Sequence, residues 1–160
     1  MVASAIVSTA VIEQAGWRDL IPLRQLEQVC FPEDAWPLFD LIGVLTFPNV
    51  VRLKATHQGQ MVGFIAGDVR GTERIAWIAT IGVLPDYRGR GIGSKLLMAC
   101  EQRLPVATIR LCVRLTNAPA IHMYQQHGYM KLDEWPRYYH DGESALVMEK
   151  KPHPDKVGYN

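Results

Sequence analysis

The chain has 160 residues, of which 48% are hydrophobic and 21% charged; it can bury a core without disulfide or metal staples and is too apolar for a disordered or fibrous protein. Seventeen Lys and Arg against sixteen Asp and Glu leave a net charge of +1, without the basic excess of a nucleic-acid binder. Cys30, Cys100 and Cys112 fit no zinc spacing, so they read as reduced thiols of a cytoplasmic protein that needs no metal.

Taken in chain order, residues 5–12 predict a strand rich in Ile and Val. The N-terminus has no basic segment ahead of its apolar residues, so it does not read as a signal peptide. No apolar run approaches the roughly 18 residues of a membrane span, and no membrane partner is expected. Residues 17–30 predict a helix with Trp17, Leu20, Ile21, Leu23, Leu26, Val29 and Cys30 on one stripe, Pro22 in its first turn and Phe31-Pro32 as its stop. A short helix follows near 37–46. Strands at 49–57 and 60–69 flank Gln58-Gly59, and a third at 74–83 follows Gly71-Thr72. This third strand is apolar on both faces and should be central, with Gly82 marking a bulge or a close backbone approach. A helix at 91–104 ends at Pro105, and a strand follows at 107–114. Asn117 caps a helix that has Pro119 in its first turn and Gly128 as its stop. Residues 129–138 and 144–150 form a last hairpin around Asp141-Gly142. The order β-α-α-β-β-β-α-β-α-β-β is that of a mixed α/β sheet, with strands 74–83 and 107–114 parallel across a helix. Residues 1–151 read as one domain without linkers, and 152–160 as a loose tail.

Chemistry concentrates in Arg88-Gly89-Arg90-Gly91-Ile92-Gly93-Ser94, which follows the central strand and opens a helix. Glycines uncover backbone N–H groups at the positive helix end, and two arginines add charge, so the turn reads as a diphosphate cradle. It is not a Walker A loop, because Lys95 follows Ser94 instead of preceding a hydroxyl residue. The dinucleotide pattern also fails, since its last glycine would fall on Leu96 or Ser94.

Arg88-x-x-Gly91-x-Gly93 after Ile81-Gly82-Val83-Leu84-Pro85 resembles the acetyl-coenzyme-A signature of the GNAT superfamily of N-acetyltransferases. The likeness continues through Asn117-x-x-Ala120-x-x-x-Tyr124 and Gly128-Tyr129, and the element order agrees over nearly the whole chain. Phe31-Pro32, the stretch 111–117 and Arg137-Tyr138-Tyr139-His140-Asp141-Gly142 are similar to the subgroup that acetylates protein N-termini, including a ribosomal-protein alanine. The resemblance implies a GNAT fold: a mostly antiparallel seven-stranded sheet flanked by helices. It also implies acetyl-coenzyme A as co-substrate, direct attack by an amine and a thiolate leaving group.

By the same resemblance the pantetheine arm pairs with backbone at Ile81 and Val83. The N–H groups of Gly89, Arg90, Gly91, Ile92, Gly93 and Ser94, beside Arg88, hold the diphosphate. An N–H of Ile81 or Gly82 polarises the acetyl carbonyl, and Asn117 contacts the arm while capping its helix. Tyr124 takes the place of the general acid at the sulfur; with ordinary values near 10 for Tyr and 8.5 for a thiol, that transfer is modestly uphill. The family's base position holds Cys112, which needs a lowered pKa from Arg110 or Arg114 to serve. Another base position holds Trp77. Phe31 and Pro32 wall the first side-chain pocket, and Tyr138 and Tyr139 bind the substrate backbone.

A weak base suits an α-amine, of which about one in seven is neutral at pH 7, better than a lysine, neutral about once in 2,500. The expected acceptor is therefore a protein or peptide N-terminus. Alternatives are a small amine (a polyamine, amino acid or antibiotic), to which Glu33, Asp34 and Asp40 would supply acid, or an acetyl-coenzyme-A-binding module without catalysis. A monomer or homodimer is expected by analogy.

Overall fold

The structure, a computed structural model, describes residues 10–151. Strands β1 (Val11–Gln14), β2 (Val50–His57), β3 (Gln60–Arg70), β4 (Ile75–Val83), β5 (Thr108–Arg114), β6 (Met130–Trp135) and β7 (Ala145–Lys150) form one sheet in the order β1-β2-β3-β4-β5-β7-β6. Helices α1 (Leu20–Cys30), α2 (Leu38–Thr46), α3 (Ile92–Arg103) and α4 (Ala118–Gln126) flank it. Every strand pair is antiparallel except β4–β5, which α3 connects in parallel. This is the expected GNAT fold, with the expected element order. Most of the strand predicted at 5–12 and the tail predicted from 152 lie outside the described residues.

The sheet separates two cores. Under α3, Leu96, Leu97 and Cys100 meet Ile65, Ile109 and Leu111. On the opposite face, Leu23 and Leu26 of α1 and Leu41 of α2 meet Phe64 and Ala66. Each such leucine contributes about 1.5–3 kcal/mol by leaving water, so α1 is fixed firmly to the strands beneath it.

The stripe predicted for α1 needs correction. Residues 17–19 form a 3-10 turn, the helix proper begins at Leu20, and Trp17, Ile21 and Val29 are exposed. The buried face is Leu23, Leu26 and Glu27, with Cys30 one turn on and partly covered, spaced i, i+3, i+4, i+7. A carboxylate on that face broke the pattern that hydrophobicity alone could detect. The last hairpin is also shorter than predicted: β6 ends at Trp135, and Tyr138 and Tyr139 lie in the loop before β7.

Candidate functional site

Strands β4 and β5 pair only from Ile75 opposite Thr108 to Ile78 opposite Leu111. Beyond that point β4 stays with β3 as far as Val83, and β5 stays with β7 as far as Arg114, so the two part. The cause is local. Ala66 faces Thr80 and Gly67 faces Ile78, which leaves Ala79 as an extra residue that bends β4. The bulge is therefore at Ala79 and not at Gly82. Leu84 N–H bonds the Val62 carbonyl on the β3 side; by alternation Gly82 faces β3 as well, and the Ile81 and Val83 backbone groups face the open edge. The Val83 carbonyl already accepts from Arg88 Nε at 2.9 Å and from the Cys30 thiol at 3.4 Å.

Gly82 is the close approach. A Cβ there would stand 3.3 Å from Cys30 Sγ, Leu26 Cδ2 and Phe31 Cε2. Gly82→Val is expected to lower the unfolding free energy by about 1–3 kcal/mol through overpacking. Urea denaturation measures this, and an unchanged midpoint would show that α1 can simply move away.

The glycine-rich turn reaches α3 through Gly89 at φ +74° and Gly91 at φ +80°, the latter being the helix N-cap. An L side chain in this left-handed region is strained. No side chain caps the helix, so its first N–H groups remain open to an anion. The two arginines differ from expectation: Arg88 folds back onto Val83, and the Arg90 guanidinium lies 5.2 Å over the Tyr87 ring. What the turn offers is therefore backbone N–H groups and a helix end more than arginine charge.

Between the parted strands lies a cleft of about 850 Å³. Ile81, Gly82, Val83, Arg88, Gly89, Gly91, Ile92, Gly93, Ser94, Asn117 and Tyr124 all line it, as do Phe31, Pro32, Cys112 and Tyr139. Arg90 and Tyr138 do not line it. Asn117 caps α4 by accepting from Ala120 N–H at 3.3 Å. Tyr124 is buried against Tyr129, edge to face at 5.8 Å, and its hydroxyl has no hydrogen-bond partner among the described residues. Burial raises its pKa, with Tyr139 adding to the shift. Proton transfer to a thiolate is thus more uphill than ordinary tyrosine chemistry suggests.

Cys112 is not activated. Burial pushes its thiol up, only partly offset by the Tyr138 hydrogen bond and by Arg70. The arginines expected to help are engaged elsewhere: Arg110 pairs with Glu149 at 2.8 Å, and Arg114 binds Asp34 (2.6 Å), Asp141 (2.8 Å) and Glu143 (2.6 Å). A thiol held neutral has no proton-accepting role, so Cys112→Ser is expected to keep kcat/KM within about threefold across pH 6–9. A loss near a hundredfold would return the base function to this sulfur.

Arg114 joins the two loops that border the cleft. Asp34 belongs to the α1–α2 loop, Asp141 and Glu143 to the β6–β7 loop, and the guanidinium lies 4.2 Å over the Tyr139 ring. Its own desolvation works against the charge, but the three carboxylates outweigh this and hold it protonated. Glu27 makes a second tie. It is fully buried, accepts from Thr80 Oγ1 at 2.9 Å and from the Trp36 backbone, and so fixes the α1–α2 loop to β4. Desolvation raises its pKa against both hydrogen bonds, and Oε2 has no partner among the described residues. Sequence reading missed both ties; the i, i+4 position of Glu27 on the apolar face of α1 was the available signal.

Residues 18–129 match the acetyltransferase (GNAT) family. An N-alpha-acetyltransferase of Saccharolobus solfataricus is 35% identical over 159 residues, covering 87% of this chain and 91% of its own. The L-amino acid N-acetyltransferase AaaT of Escherichia coli is 31% identical over 142 residues, covering 77% and 84%. Among solved structures, the ribosomal-protein-S18-alanine N-acetyltransferase of Escherichia coli superposes with a TM-score of 0.79 at 28% identity, covering 88% of this chain and 92% of that one.

Proposed function

The chain belongs to the GNAT family of acetyltransferases and is an acyl-CoA-dependent N-acetyltransferase; from that premise we propose that its acceptor is the α-amine of a protein or peptide N-terminus. The observation that carries this is the paired-loop cleft. The α1–α2 and β6–β7 loops are tied across β5 by Arg114, and Phe31 and Pro32 of the one and Tyr139 of the other line the cleft. Relatives that act on N-terminal α-amines and on a ribosomal-protein alanine support the reading.

The residues present fit acetyl-coenzyme A: the N–H groups at the α3 start carry no side-chain cap and suit a diphosphate, and the unpaired β4 edge offers backbone to an extended arm. That group supplies an acetyl thioester and a thiolate leaving group. In this reading the Ile81 N–H, on the open edge, polarises the acetyl carbonyl. Tyr124, protonated across the physiological range, donates a hydrogen bond toward the departing sulfur. With Cys112 kept as a thiol, an amine that is already partly neutral suits this cleft. Phe31 and Pro32 bound the space for the first side chain, and Tyr139, fixed by Arg114, covers the substrate backbone.

The amino-acid-acetylating relative favours a second reading, in which the α-amine belongs to a free amino acid. Mass spectrometry after incubation with acetyl-coenzyme A separates the two. The panel holds peptides with free α-amines, α-blocked lysine peptides, free amino acids and polyamines. Acetylation of peptide α-amines is expected. Product on free amino acids alone selects the second reading, and product on lysine or polyamines alone overturns both.

A further inference from the structure

Beyond Ile78 no strand pairs with β4 on its β5 side, so this edge is held from β3 and from α1. Ile78 packs in the core under α3, and period-two alternation would send Thr80 into that same apolar core. The bulge at Ala79 turns Thr80 to the opposite face instead, where Glu27 Oε1 accepts from its hydroxyl at 2.9 Å. Ile81 then returns to the α3 side, and Gly82 lies against Leu26, Cys30 and Phe31. Three residues along α1 from Glu27, the Cys30 thiol bonds the Val83 carbonyl. Side chains of one helix therefore hold β4 on both sides of Ile81.

Packing does not explain Glu27. It shares the buried face of α1 with Leu23 and Leu26, is 1% exposed, and its Oε2 has no partner among the described residues. A leucine would fill that place without leaving a carboxyl oxygen unpaired. What the carboxyl does hold is the Thr80 hydroxyl and the Trp36 backbone, and both residues line the cleft. We propose that Glu27 is a positioning residue for acetyl transfer: by holding Thr80 on the α1 side of β4 just past the bulge, it fixes the direction of the Ile81 N–H. This rests on the reading above, in which that N–H polarises the acetyl carbonyl. Gly82 leaves room for the approach of α1, and the Glu27–Thr80 bond sets the register in which it is made.

The test is a double-variant cycle of Glu27→Leu and Thr80→Val, with Glu27→Gln and Thr80→Ser as conservative changes. Each is assayed with whichever acceptor of the panel above gives product. Leu suits the apolar face of α1, and Val keeps the shape of Thr80 without its hydroxyl, so the thermal midpoint of each variant checks that it folds. Each single variant is expected to lower kcat about tenfold, with the KM for acetyl-coenzyme A within about twofold, because the N–H is misdirected and not removed. The double variant should also fall about tenfold, instead of about a hundredfold, since both changes break one bond. Glu27→Gln and Thr80→Ser, which keep the acceptor and the donor, should recover most of kcat. A lowered thermal midpoint with kcat unchanged would make the bond a structural tie alone and overturn the proposal. Losses of kcat that multiply in the double variant overturn it as well; either result leaves the Ile81 reading standing. A raised KM for acetyl-coenzyme A at unchanged kcat overturns the Ile81 reading, and the role of Glu27 in transfer with it.

Discussion

Tyr124→Phe is expected to lower kcat about a hundredfold and to leave the KM for acetyl-coenzyme A within about twofold. The substitution keeps the ring that packs edge to face on Tyr129, so the fold and the cofactor side of the cleft are preserved. What is lost is the one hydroxyl that lines the cleft from α4. Because burial raises its pKa, that group remains a donor throughout neutral pH, and its removal should scale the pH–rate profile down without moving its limbs below pH 9. Thiol release monitored continuously gives kcat directly. An unchanged kcat would mean that the sulfur leaves without help from Tyr124, and the tyrosine would then be a packing residue.

Arg114→Met is expected to raise the KM for a peptide acceptor at least tenfold, with little change in the KM for acetyl-coenzyme A. The variant strands three carboxylates that now share one guanidinium and frees Tyr139 from beneath it. Arg114→Lys should recover only part of the loss, since one ammonium cannot fork to Asp34 and Glu143 together. The pH dependence follows from the carboxylates. The Thr116 and Arg114 hydrogen bonds lower Glu143 from 4.5 to about 2, and Asp141 is also lowered, by its Glu143 backbone bond and by Arg114. A depressed carboxylate contributes fully above its unfolded value and loses that contribution as pH falls through the folded one. The latch should therefore be intact at neutral pH and weaken only between about pH 4.5 and 2. Equal peptide KM values for the wild type and both variants would show that the loops hold without Arg114.

Much of the site was legible locally. Glycine at 89 and 91 was readable as a turn because positive φ favours that residue, and the observed values, +74° and +80°, agree. Asn117 was readable as a cap from its place before Ala118 and Pro119, and it does cap. Charge partners were not legible. Arg114 and Arg110 looked available to Cys112 because all three alternate on one strand face; the carboxylates that take them come from elsewhere in the chain.

The amino-acid sequence by itself determined the element order, the parallel pair across α3 and the glycine turn that opens α3. Each depends on neighbours within a few residues, through periodicity, caps and backbone freedom. Tertiary structure alone decided where β4 bends, that Glu27 is buried on Thr80, that Arg114 spans two loops, and that the thiol of Cys112 is raised instead of lowered. These depend on contacts 53 residues apart for Glu27 and Thr80 and 80 apart for Asp34 and Arg114. A pKa or an ion pair is set by whatever charge and water lie within a few ångströms, and only the folded chain specifies which residues those are.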